Sequence, residues 1–203
     1  MNFEDEINRL EGLEFNDEFI YKIGSVPVLF TAPHTMPQVM NDGTYKCEEV
    51  YTKAIALYLN QITDASYLIK VKDTGEDSNR DNDDEFKKKL IEIVKENNIK
   101  LVIDLHGSKR ERDYDVEFGT LDNKTSEFDT ILNLERTFNR NNILNIKHNE
   151  PFKGGAITSY LYNLTDVQSI QLEINRNYRD EKNIDTLELI VKSLIEFVNE
   201  FYK

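Results

Sequence analysis

Histidine is scarce in this chain, three among 203 residues, and two of the three stand where a sheet would present reactive groups. His106 closes the stretch KLVIDLHG, Lys100 to Gly107. Leu101, Val102 and Ile103 form an apolar run with no turn residue inside it, which reads as a strand buried on both faces. That strand delivers Asp104 and His106 to its carboxyl end, the edge at which open α/β sheets bind ligands. The two side chains share a strand face, so the carboxylate can steady the imidazole from behind, as is common for metal-bound histidine. A strand end with a solvated Asp and a hydrogen-bonded His accounts for the same residues equally well. His34 follows a second apolar run, Val26 to Thr31, inside Ala32-Pro33-His34-Thr35-Met36-Pro37, a loop stiffened by two prolines. Taken alone, it is more simply a turn with an incidental His. Glu173 lies on a third run, Val167 to Ile174, on the opposite strand face from Leu172 and Ile174. Glu48 and Glu49 fall near the start of a helix, where acidic residues also suit the helix dipole. Two histidines and one carboxylate with an open fourth position make a catalytic zinc set. A further carboxylate can serve as general base towards water. His148, in the polar KHNE, reads as a surface residue. Cys47 reads as a small, semi-buried side chain, with a nucleophilic role as the alternative.

The elements that must position these groups follow from the apolar periodicity. Met1 to Asp17 reads as a short helix and a loop. Phe19 to Ile23 and Val26 to Thr31, separated by Gly24-Ser25, read as a hairpin. A broad apolar stripe from Lys46 to Gln61 predicts a helix. A strand over Tyr67 to Val71 follows, then a polar loop over Lys72 to Asp84. Asp84 is placed to cap a helix over Glu85 to Glu96, and the Lys100 strand comes next. Beyond Gly107 the pattern predicts a charged loop over Ser108 to Asp113, a strand over Val116 to Thr120 and a helix over Phe128 to Arg140. A short strand over Ile143 to Ile146 leads to PFKGG, Pro151 to Gly155, whose glycines allow close backbone approach. A short helix over Ala156 to Tyr162, the Glu173 strand and a long helix over Leu187 to Tyr202 complete the chain. Alternating strands and helices imply an α/β fold, a three-layer sandwich with a mixed, mainly parallel central sheet. No repeat, low-complexity tract or linker interrupts it, so residues 1–203 read as one domain.

Hydrophobic residues make up 39% and charged residues 31% of the chain, the balance of a globular protein. A net charge of -13 without a basic patch argues against a nucleic-acid partner. No apolar run approaches the ~18 residues of a membrane span. The acidic MNFEDEINRL is unlike a secretory signal, and a single cysteine excludes an internal disulfide. Together these features lead us to expect a cytoplasmic protein.

Six segments in order resemble one family. They are A-P-H at Ala32 to His34, K-x-x-E-x-x-T at Lys46 to Thr52 and D-x-N-R at Asp77 to Arg80. D-L-H-G at Asp104 to Gly107, P-F-K-G-G at Pro151 to Gly155 and Q-L-E-I-N-R at Gln171 to Arg176 follow. From Val26 to Asp180 the chain is similar to the N-formylglutamate amidohydrolases, which are related in fold to the zinc carboxypeptidases. The resemblance implies that His34, Glu49 and His106 bind zinc, with Glu48 or Asp77 as the alternative acidic ligand. It implies that Glu173 is the general base and that Asn79 and Arg80 hold a substrate carboxylate. Arg176 is implied as a second carboxylate ligand or as the group that polarises the scissile carbonyl. Where the family has P-H-S-G this chain has Pro33-His34-Thr35-Met36, and the chain is short for the family. The expected activity is zinc-dependent hydrolysis of the amide bond of a small, carboxylate-bearing N-acyl amino acid. A carboxypeptidase-like metallopeptidase and a binding protein that retains the fold without turnover are the alternatives.

Overall fold

The computed structural model describes residues 2–80 and 84–202, and within them strands and helices alternate around a seven-stranded sheet of order β1-β5-β2-β6-β9-β7-β8. The strands are β1 (Phe19–Lys22), β2 (Val26–Ala32), β5 (Ala65–Lys70), β6 (Leu101–Ser108), β7 (Val116–Gly119), β8 (Ile146–His148) and β9 (Gln168–Asn175). A separate two-stranded ribbon joins β3 (Gln38–Val39) to β4 (Tyr45–Lys46). The helices are α1 (Phe3–Glu11), α2 (Thr52–Thr63), α3 (Glu85–Glu96), α4 (Phe128–Arg140), α5 (Ala156–Leu164) and α6 (Ile184–Phe201). The pairs β5–β2, β2–β6, β6–β9 and β7–β8 are parallel, whereas β1–β5 and β9–β7 are antiparallel. The sheet is therefore mixed and mainly parallel, as expected.

Alternate residues of the central strands feed two cores. Val28, Phe30, Ile103, Leu105, Leu172 and Ile174 pack on one face beneath α1, α2, α4 and α6. Leu29, Leu68 and Val102 pack on the other beneath α3 and α5. Helices on both faces make three layers. Burial of this apolar area is the main stabilising contribution, at about 25 cal/mol per Å² removed from water.

Four local expectations need correction. β1 and β2 are not a hairpin, because β5 lies between them, pairing with β1 on one edge and β2 on the other. The chain crosses over the start of β5 at Gly24. There an added Cβ would lie 1.8 Å from the Asp64 carbonyl oxygen, while Gly24 N donates to Ser66 Oγ at 3.0 Å. The helix expected from Lys46 begins only at Thr52. Tyr51 stands in the left-handed region at φ 66, and the Glu11 carboxylate accepts from Tyr51 N at 2.8 Å and Ala54 N at 3.3 Å. Residues 47–50 are thereby kept out of the helix. The strand expected over Ile143 to Ile146 is displaced to Ile146–His148. Cys47 is exposed rather than semi-buried. Residues 81–83 of the polar loop lie outside the described residues.

Candidate active site

Parallel pairing sends β2, β6 and β9 to the same rim of the sheet. His34 lies two residues beyond β2, His106 is near the end of β6, and Glu173 is His106's register partner on β9. On the far side of β9, Glu117 of β7 is the register partner of Glu173. His106, Glu173 and Glu117 thus stand abreast across three strands. Glu49 reaches the same point from the segment before α2, whose course is fixed by Glu49 N donating to the His34 carbonyl at 2.8 Å.

His34, Glu49 and His106 each offer a ligand atom within 4.8 Å of the others. Their Nδ1 atoms are 3.2 Å apart. Glu49 Oε1 lies 3.1 Å from His34 Nδ1, and Oε2 lies 3.2 Å from His106 Nδ1. Glu49 Oε2 also accepts from Gly107 N at 3.0 Å. Glu48 is not in this cluster. Asp77 is on the outer side of His34, 2.8 Å from Nε2, where it supports the ring. Asp104 does the same for His106 at 2.9 Å and itself accepts from Thr31 Oγ1 at 2.6 Å. In the tautomer in which each Nε2 donates to its aspartate, both Nδ1 atoms are left to accept. Two facing imidazole acceptors beside a carboxylate need a cation or a proton between them. The donor set fits zinc, which takes nitrogen and carboxylate ligands in this combination. Burial alone would push the His106 imidazole down in proton affinity, but Asp104 and Glu49 outweigh it and hold it well above its ordinary range. Glu49 is correspondingly held well below the carboxylate range by His34 and His106 against the cost of burial.

The motif spacings now have physical reasons. Lys46 Nζ lies 3.1 Å from Asp77 Oδ2 and 2.9 Å from His34 Nε2, so K-x-x-E places a cation behind the first histidine and a carboxylate in front of it. Thr52 Oγ1 donates to the Glu49 carbonyl at 2.7 Å. Asn79 Oδ1 accepts from Ala156 N at 2.7 Å, which joins D-x-N-R to the end of P-F-K-G-G. Gly155 leaves room for this contact, because an added Cβ would lie 1.8 Å from Asn79 Oδ1.

A cavity of about 230 Å³ opens over the cluster, with Glu49, His106, Gln171 and Glu173 in its lining. Asn79 lines it, as do Lys46, Lys109, Arg112 and Phe152. Glu173 Oε1 accepts from Gln171 Nε2 at 2.8 Å. Burial pushes its carboxyl above the ordinary range, and Glu49 and Asp104 add to this while the imidazoles pull the other way. Arg80 and Arg176 are not in the lining. Arg80 pairs with Asp42 Oδ2 at 2.8 Å on the surface, and Arg176 Nε lies 3.4 Å from Asp180 Oδ2. His148 is at the surface as expected, 3.0 Å from a Glu135 oxygen.

Two arginines that sequence reading passed over matter here. Arg112 lies in what reads only as a charged loop. Arg179 is 2% exposed and donates to three carbonyls, those of Ile174 at 2.8 Å, Val50 at 2.8 Å and Ser108 at 3.1 Å. Each of these carbonyls lies within two residues of Glu173, Glu49 or His106, so Arg179 ties together the backbones that carry them. Its guanidinium lies under Gly107, where a Cβ would meet its central carbon at 2.2 Å. Burial lowers its pKa to about 10, so it remains charged.

A family model of N-formylglutamate amidohydrolase matches residues 77–178. The chain belongs to the N-formylglutamate amidohydrolase family. It is therefore a hydrolase of the amidohydrolase kind. No sequence among the curated proteins matches it. Among solved structures it is similar to the N-formylglutamate amidohydrolase from Ralstonia eutropha JMP134, with TM-score 0.66 at 12% identity, covering 90% of this chain and 97% of that one. A bacteriophage poly-gamma-glutamate hydrolase gives TM-score 0.62 at 14% identity, covering 94% and 91%. The zinc-free form of a protein named YNDL gives 0.61 at 18%, covering 93% and 94%. These likenesses establish the fold of this amidohydrolase-family chain.

Proposed function

We propose that this amidohydrolase is zinc-dependent and cleaves the amide bond of a small, carboxylate-bearing N-acyl amino acid such as N-formylglutamate. The observation that carries the reading is the convergence of His34 Nδ1, His106 Nδ1 and Glu49, with Glu173 abreast of His106 on the same sheet face. His34, Glu49 and His106 would hold the metal, and Asp77 and Asp104 would fix the two rings in the ligating tautomer. A zinc ion held there supplies a Lewis acid that acidifies an attacking water and polarises the amide carbonyl. Glu173 takes the proton from that water as the water attacks, then returns it to the leaving nitrogen. A proton acceptor with a raised pKa suits both steps. Gln171, donating to Glu173 Oε1, orients the carboxylate. Asn79, in the cavity lining, contacts the substrate. For Arg80 or Arg176 to do so, each would have to leave its aspartate.

Glu173→Gln tests the assignment of the base, because it preserves shape and removes the proton acceptor. The expected outcome is near-normal zinc content by elemental analysis, with kcat lowered by roughly 10²–10⁴. Loss of zinc would make Glu173 a ligand instead, and wild-type turnover would remove it from the mechanism.

A further inference from the structure

The chain carries 38 acidic and 25 basic residues, so a cation without a carboxylate partner is notable. Two such cations line the cavity. In the loop after β6, Arg110 pairs with Asp180, and Asp113 lies 3.5 Å from Lys147. Lys109 and Arg112, between and beside them, have no ion-pair partner among the described residues and line the cavity with His106 and Glu173.

Arg112 is also held in place. Its backbone carbonyl accepts from Asn175 Nδ2 at 3.1 Å, and the same amide group donates to the Tyr114 carbonyl at 3.0 Å. Asn175 is two residues beyond Glu173 on β9, so the end of the strand that carries Glu173 pins the loop that carries Arg112. The Arg112 guanidinium carbon lies 5.1 Å from the centre of the Phe152 ring, a cation–π distance. Phe152 is fixed in turn, its N donating to Glu117 Oε1 at 2.6 Å. The result is a guanidinium supported on an aromatic face, anchored to β9 and β7, at the wall of a cavity whose floor is rich in carboxylates. An anionic substrate entering past Glu49 and Glu173 meets repulsion there, and a local cation offsets it. Guanidinium forks match carboxylates in bidentate geometry.

We infer that Arg112, supported by Phe152 and with Lys109 adding charge, is the specificity residue that takes a carboxylate on the amine half of the substrate. This rests on reading the cavity as the active site. It assigns the role to a residue outside the Asn79-Arg80 pair.

The test compares N-formylglutamate with its two monoamides, N-formylglutamine and N-formylisoglutamine, in the wild type and in Arg112→Met and Arg112→Lys. Met keeps apolar packing on Phe152 and removes the charge. The wild type should favour N-formylglutamate over at least one monoamide, mainly through KM, by roughly tenfold to a hundredfold, the range expected for a charged hydrogen bond. Arg112→Met should collapse that ratio towards one, and Arg112→Lys should restore part of it. Undiminished discrimination in Arg112→Met would overturn the inference and leave the active-site reading intact. Should none of the three compounds turn over, the active-site reading fails, and binding then decides the role of Arg112. Calorimetric binding of L-glutamate to the wild type that weakens tenfold or more in Arg112→Met would sustain a carboxylate site. Equal binding, or none in either protein, would overturn it.

Discussion

Glu117 is a carboxylate in an expensive position. It is fully buried on β7 beside Glu173. One oxygen accepts from Phe152 N, and the other is buried with no partner among the described residues. Burial first, and Glu173 second, raise its pKa from 4.5 to about 7. The folded state therefore binds a proton more tightly than the unfolded chain. Stability grows as pH falls through the window between these values, and the penalty is fully present above the folded pKa. Glu117→Gln removes the titrating group. Its stability relative to wild type should be greater at pH 8 than at pH 5 by on the order of 2 kcal/mol. Denaturant unfolding of both proteins at the two pH values measures this, and an equal difference at both would mean that Glu117 titrates normally. Glu117 and Arg112 were not legible in the sequence for a simple reason. The first stands among apolar strand residues and the second among mixed charges, and neither context says which neighbour faces it. His106 and Asp104 were legible because an apolar strand with a fixed two-residue period sets their shared face.

At the scale of elements, the site depends on contacts between segments distant in the chain. Asn79 Oδ1 supplies the hydrogen bond at the start of α5 that Gly155, its N-cap, cannot supply with a side chain. Gly155→Ala would force Asn79 aside, since the new Cβ would lie 1.8 Å from Oδ1 and 2.5 Å from Cγ. The cavity wall formed by Asn79 should then shift. We expect KM for N-formylglutamate to rise several-fold, with Tm lowered by a few degrees, as for a loss of about 1 kcal/mol. Steady-state kinetics and a thermal scan check this, and an unchanged KM would separate Asn79 from substrate binding. Helices with a clear amphipathic stripe and a definite start were readable to the residue. α3 begins after Asp84, whose Oδ1 accepts from Lys87 N at 2.7 Å, and α4 spans Phe128–Arg140 as its periodicity indicates. Strand pairing was less legible, because β1 alternates in the manner of a hairpin arm whichever neighbour it meets. Its partner, β5, is chosen by the crossing at Gly24. The start of α2 was misplaced because the apolar stripe continues through Tyr51, while the backbone there takes a positive φ that no periodicity reveals.

For the molecule as a whole, topology turns separate motifs into one site. Parallel strands bring His34, His106 and Glu173 to a single rim, and the antiparallel return of β7 adds Glu117 and, through Phe152, the support for Arg112. Both faces of the sheet are covered by helices, and among the described residues no helix is long and apolar enough to cross a membrane. The net charge of -13 leaves the cationic wall of the cavity as a local exception. The central claim is that this site hydrolyses an N-acyl amino acid with zinc held by His34, Glu49 and His106. The most direct test is the turnover of N-formylglutamate by chelator-stripped protein as zinc is titrated back. Activity should be lost on stripping and should rise in proportion to added zinc until one equivalent is bound. Turnover that survives stripping, or that stays absent at every zinc level, would contradict the account.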